Sequence, residues 1–223
     1  MSDVRRTATV AAAAAAVACL VPAARAGSGG EKIALVRADV AAAHAALVRR
    51  SDLREAVWTG GPIKPDLSPP PRCRNYHPKK SDLVLTGVAE SSFAATPVRR
   101  ALDSEVKILR TARMVSLGWR REVMAPGVLA CQRHQLAASM GTPGARVVSF
   151  GRIPFPRVAR YVAQFRGVVA LQGQTTRLVV DSVLVSRGRS EISITSLAPL
   201  AARAKVTAEE RRLVRLMLSR LKA

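Results

Sequence analysis

The sequence predicts an α+β fold: an antiparallel β-sheet of about five to six strands, helices packed on one face, and a helix at each end of the domain. Three observations carry this. Stretches with a two-residue apolar period fall at 82–110 and 146–197, while helical spacing marks 31–50, 112–140 and the C-terminal stretch. Strands and helices also come in runs, without the one-to-one βαβ alternation of a parallel sheet. A hydrophobic content of 48% over 223 residues is enough for a sizeable core and excludes a disordered chain.

The N-terminus reads as a secretory signal over residues 1–26. Arg5 and Arg6 precede an uncharged, mostly alanine run from Thr7 to Pro22, and Ala24-Arg25-Ala26 places small residues where a signal peptidase reads them. The run is shorter and less apolar than the ~20 residues a membrane-spanning helix needs. Cleavage is therefore expected between Ala26 and Gly27, leaving 27–223 as one extracytoplasmic α+β domain with no transmembrane segment. Two variants are weaker. Cys19 follows Ala16-Val17-Ala18, a poor lipobox, and Arg5-Arg6 lacks the hydrophobic residues that follow a twin-arginine pair, so the general secretory route is preferred.

Within the domain, Glu31 to Arg50 is an alanine-rich helix ending at Ser51-Asp52-Leu53. Residues 60–80 hold six of the 13 prolines and form a loop, neither helix nor central strand. Asp82 to Phe93 and Ser104 to Arg110 are strands; in the second, Glu105 and Lys107 alternate with Val106 and Ile108. Ala112 to Met140 is helical and divided at Pro126-Gly127. Strands return at Arg146 to Phe150, Val158 to Val169, Thr176 to Ser186 and Glu191 to Leu197, the last two forming a hairpin around Arg187-Gly188-Arg189. Apolar residues on both parities mark Thr176 to Ser186 as central. The final helix is expected to start on a Thr207/Glu210 capping box and to present Leu213, Leu216, Met217 and Leu221 to the core.

Cleavage leaves two cysteines, Cys73 and Cys131, an even number in an oxidising compartment, and a disulfide between them is expected. The chain carries 36 Lys and Arg against 15 Asp and Glu, a net +21. Such a balance favours anionic cell-envelope polymers or lipid headgroups as partners. With arginine outnumbering lysine 29 to 7, a GC-rich genome accounts for the same bias without selection for binding. Eight aromatic residues are too few for a single-strand stacking platform, so nucleic acid is not the expected partner.

No motif for a cofactor, metal or catalytic centre stands out. His44, His77 and His134 are far apart in sequence. Cys131 and His134 share an i, i+3 helix face, but a disulfide removes the thiolate a metal would need. Asp181 is the one acid in a central apolar strand and is expected to pair with an arginine. The polar parities Arg160/Gln164/Arg166, Glu105/Lys107 and Glu191/Ser193/Thr195 suggest an uncovered sheet face. Arg160, Gln164 and Arg166 are the candidate anion-binding residues on it.

Ser51-Asp52-Leu53 with Trp58, Cys73-x-x-Tyr76, Ser81-Asp82-Leu83 with Thr86-Gly87, Cys131 and Arg187-Gly188-Arg189 together resemble uncharacterised secreted proteins of high-GC actinobacteria. More loosely, the chain resembles extracytoplasmic α+β sensor-like and PsbP/Mog1-like domains. The resemblance implies a two-cysteine exported domain and brings no catalytic residues. The expected function is non-enzymatic binding or sensing at the cell envelope. An envelope hydrolase or transferase with its site around the Cys73 loop and Asp181, and a structural polyanion-associating surface protein, remain as alternatives.

Overall fold

The computed structural model describes residues 30–221, apart from 55–56, 69–72, 75 and 141–143. The expected signal segment and its cleavage point at Ala26 and Gly27 lie outside the described residues. The chain forms β1 (Lys32–Ile33), α1 (Arg37–Ala46), β2 (Thr59–Ile63), β3 (Val84–Ala95), β4 (Arg100–Leu109), α2 (Ala112–Glu122), α3 (Val128–Ser139), β5 (Arg146–Ile153), β6 (Tyr161–Ala170), β7 (Leu178–Arg187), β8 (Ser190–Pro199) and α4 (Arg203–Arg220). The strands make one mixed eight-stranded sheet in the order β1-β3-β4-β8-β7-β6-β5, with β2 also on β3. Every pairing is antiparallel except the short β1–β3 contact.

The two strands beyond the expected six come from segments read as helix and loop. Alanine-rich sequence favours helix, but the free edge of β3 needs backbone partners, and the chain before α1 supplies them. Lys32 and Ala34 donate to the carbonyls of Leu83 and Leu85, and Val36 to Thr86, so the helix begins only at Arg37. β2 likewise occupies the start of the proline-rich segment. Its Pro62 is tolerated because the strand pairs on one side only.

Helices cover both faces of the sheet, where the sequence predicted one. Register fixes the two faces: Val106 lies opposite Ile192 and Ile192 opposite Val185, while Glu105 lies opposite Ser193 and Ser193 opposite Leu184. α1 and α4 roof the first face, where Ala43, Leu213, Val214 and Met217 pack on Val106, Ile192, Ile194, Val183 and Phe93. On this measure each fully buried aliphatic side chain contributes at most about 1.5–3 kcal/mol. α2 and α3 roof the second face: Trp119 and Val123 pack on Ala163, Phe165 and Leu184, and Leu136 and Met140 on Val169, Leu178 and Val180.

The last helix starts one turn before its expected capping box. Thr207 Oγ1 bonds back to the Arg203 carbonyl, and Glu210 is drawn into the core instead of capping. The β7–β8 hairpin forms as expected, with Gly188 at φ +59° as the first of two turn residues between Arg187 and Ser190. Cys73 and Cys131 are joined, tying the proline-rich segment to α3. The bridge closes a separation of 58 residues, worth about 4 kcal/mol on the chain-entropy account. Denaturant unfolding with and without reductant should therefore show a large drop in stability on reduction, matched by Cys131→Ser; equal midpoints would contradict a structural bridge.

Candidate functional site

The sheet residues left over from the apolar core form two polar clusters, one under each roof. On the α4 side, Asp181 has no solvent exposure and Arg166 grips it from two nitrogens, Nε at 2.7 Å from Oδ1 and Nη2 on Oδ2. Arg166 Nη2 also donates to Thr207 Oγ1 at 2.8 Å. The Gln164 amide donates to Glu210 at 2.9 Å and to Asp181 at 3.3 Å, and Ser196 Oγ donates to the other Glu210 oxygen. Burial, with the Asp181 charge beside it, pushes Glu210 up to about 8 despite the Ser196 bond and Arg166. The cluster locks α4 to β6, β7 and β8.

This overturns the expected open face. Gln164 and Arg166 point under α4, whereas Glu105, Lys107, Glu191, Ser193 and Thr195 point under α2, so the polar parities do not share a side. Arg160 lies before β6, its guanidinium over the Tyr161 ring at 5.2 Å. The error has a physical source. Register depends on how β6 meets β7, and Gln164 pairs with Val183, which belongs to the apolar core. Asp181 does pair with an arginine, as expected. His77 is exposed with its Nε2 near the Arg74 carbonyl, and His134 is exposed on α3, so neither histidine meets Asp181.

The second cluster surrounds a small, partly open chamber between α2 and the β4–β8–β7 strands. It is lined by Glu105, Lys107, Trp119, Glu122, Ser186, Glu191 and Ser193, among others, and its volume is about 30 Å³, room for one or two water-sized groups. Gly118 of α2 also lines it: a Cβ there would make ordinary contacts, 3.5 Å from Leu83 Cδ1 and 3.6 Å from an oxygen of Glu122 and from one of Glu191. Two lysines answer these acids. Lys107 Nζ stands 3.6 Å from Glu105, and Lys80 binds Glu122 and lies 3.6 Å from Glu31. Ser193 Oγ donates to Glu105 at 3.3 Å.

Acid outweighs base here, in a chain that is strongly basic elsewhere. Glu31, Glu105, Glu122 and Glu191 face Lys80 and Lys107, and Glu90 is the β3 neighbour of Glu105. Burial works against the charge of Lys107, but Glu105, Glu31, Glu122 and Glu191 outweigh it and hold its ammonium above the usual lysine value. For Glu191, burial comes first and the Glu122 carboxylate second; together they lift it to about 8, against the pull of Lys107 and Lys80. Trp119 lines the same space and stacks on Tyr161 with ring centres 5.4 Å apart.

Sequence reasoning noticed Glu105, Lys107 and Glu191 but not Glu31, Lys80, Trp119 or Glu122 beside them. Gly118, Trp119, Glu122 and Val123 form one helical stripe, and the acid on that otherwise apolar stripe was the available signal. Among the described residues no group of three or more His, Cys, Asp or Glu is placed to hold a metal ion. No described helix is long and apolar enough to cross a membrane.

No protein-family model matches the chain, and no curated protein matches it. Among solved structures, it is similar to the Saccharomyces cerevisiae Ran-binding protein Mog1p, at 10% identity over 59% of this chain and 77% of that one, with a TM-score of 0.28. A TM-score that low carries no argument about fold or function.

The two raised glutamates fix the sign of the pH dependence. Each keeps its proton in the folded state after losing it in the unfolded one, so stability falls as pH rises from about 4.5 to about 8 and levels off above. Asp39 and Asp52, held low against burial by Thr86 with Arg189 and by Arg220, act only below their ordinary value of 3.8. Stability measured by denaturant titration across pH 5–9 should decline, and Glu210→Gln should flatten part of the decline. A flat profile for the unaltered protein would contradict the buried-acid assignment.

Proposed function

We propose that the chain is a non-enzymatic binding or sensor-like domain of the cell envelope, whose ligand places a cationic nitrogen in the α2 chamber. The surplus of carboxylates in this chamber carries the reading. Grouped, poorly solvated carboxylates repel one another, and a cation or a bound proton relieves the repulsion. The acids come from neighbouring strands and from α2, which suits an ammonium group with several N–H donors. Trp119 adds an aromatic wall of the kind that attracts such cations. The volume admits only the charged head, so the remainder of the ligand stays outside.

The envelope address rests on the N-terminal charge order, on the Cys73–Cys131 bridge, which suits an oxidising compartment, and on the resemblance to secreted actinobacterial proteins. In this reading the chain is exported and cleaved after Ala26.

Calorimetric titration with putrescine tests the site. Binding should weaken about 10- to 100-fold in Glu105→Gln or Glu191→Gln, the range expected for losing one hydrogen bond to a charged group. Affinity should rise with pH up to about 8, with a proton released on binding as Glu191 ionises. Equal affinity in both variants, or no binding at any pH, would defeat the reading.

A further inference from the structure

Between Glu122 and Asp181 the sequence holds seven arginines and no Asp, Glu or Lys. A GC-rich genome accounts for arginine in place of lysine, but not for the absence of acids, all 15 of which lie elsewhere in the chain. This stretch folds into α3, β5 and β6, at the end of the sheet opposite β1 and β2. Of its arginines, only Arg166 meets an acid among the described residues, Asp181. Arg152 turns to neutral groups: Nη2 donates to the Val123 carbonyl at 2.6 Å, and the guanidinium stands 5.3 Å from the Phe165 ring centre. Arg146, Arg157 and Arg160 are exposed.

β5 is also an open edge. It pairs with β6 on one side, and among the described residues no backbone group bonds to its other side. A bulge between Val147 and Ser149 interrupts its first half, and residues 149–153 then pair one for one with β6. The outward amides and carbonyls of such an edge are a template for another strand. Gly151 lies in the middle of this run. It does not have a positive φ, so no turn demands a glycine there, and a Cβ at that position would meet nothing within 4 Å. A strand glycine in open space lets another backbone come close. Arg146 and Gly151 lie opposite Ala170 and Arg166 on the α4 face, while Arg152 lies opposite Phe165 on the α2 face. Arginines therefore flank the edge on both faces of the sheet.

We propose that the outer edge of β5 takes up an extended acidic segment of another protein as a further strand. The incoming backbone satisfies the edge amides and carbonyls, and its carboxylates meet Arg146 and Arg152. Edge and charge together select this occupant. A polyanion without a peptide backbone matches the arginines but leaves the edge unused. A second copy of the chain matches the edge but brings arginines onto arginines, because the same stretch has no acid to offer. The arginines thus guard the edge against self-association and admit a strand of opposite charge. The net +21 of the chain draws such a partner in at long range.

Fluorescence anisotropy with a labelled, alternating Glu–Val decapeptide tests this, with a Lys–Val counterpart that should not bind. Methylating one Glu and one Val nitrogen near the middle blocks both edges of the peptide without changing its charge. Affinity should then fall about tenfold or more. Gly151→Glu should weaken binding of the parent peptide about tenfold, whereas Gly151→Lys, of similar bulk, should keep it within about twofold or tighten it. Arg146→Glu should also weaken it; Arg215→Glu makes the same charge change at an exposed position on α4 and should stay within about twofold. Thermal melts of all four variants should match the unaltered protein. Equal losses in the two Gly151 variants, equal affinity for the methylated peptide, or no binding of the parent peptide overturns the proposal. So does binding of phosphatidylglycerol vesicles, sensitive to the same variants, when methylation leaves peptide affinity unchanged; β5 is then a charged surface for lipid. Putrescine binding should be unaffected by the β5 variants, so this result and that for the chamber fail separately.

Discussion

Strands β4, β8 and β7 are covered on both faces, and that constraint shapes the rest of the molecule. A strand with one open face can leave every second side chain to bulk water. Here the alternate positions of β4 and β8 carry Glu105, Lys107, Ser193 and Thr195, all of them buried beneath α2 and its neighbouring segments. Their charges must be met inside the fold, by Lys80, Glu31 and Glu122 from other parts of the chain and by a proton on Glu191. The same demand on the opposite face produces the Asp181–Arg166–Gln164–Glu210 cluster. Both clusters follow from roofing a sheet whose strands are not uniformly apolar.

The clusters differ in how completely their charges are met. On the α4 side the polar groups close on one another: Arg166 takes both oxygens of Asp181, and Glu210 is held by Gln164 and Ser196. Such a network specifies how a helix docks more than it adds stability. On the α2 side the carboxylates outnumber the lysines and a chamber opens above them. An excess of one charge beside accessible volume suits ligand binding; a closed network suits structure. This difference, more than any sequence motif, separates the candidate site from the scaffold.

Much of the fold was legible in the sequence. The break at Pro126-Gly127, the β7–β8 hairpin and the six main strands follow from turn chemistry and apolar period, which act locally. The parts that were not legible depend on long-range partners. Residues 32–36 look helical until the open edge of β3 claims their amides. Thr207 and Glu210 look like a cap until Ser196 and Gln164 draw Glu210 inward. The polar parity of β4 looks solvated because Glu105 and Lys107 differ from Val106 and Ile108 only in chemistry, and nothing local reveals a second roof. The site was therefore half visible: its sheet residues were named and read as surface, while its helix and loop residues went unnoticed.

The central claim is that the polar row of β4 and β8 lies under a roof, where an acid keeps its proton at neutral pH. Following carboxyl groups by carbon-13 NMR in Glu210→Gln protein measures this most directly. The account predicts one glutamate resonance titrating near pH 8, absent when Glu191→Gln is added. If every glutamate in that protein instead titrates in the ordinary range around 4.3, the enclosed chamber and the binding role built on it are contradicted.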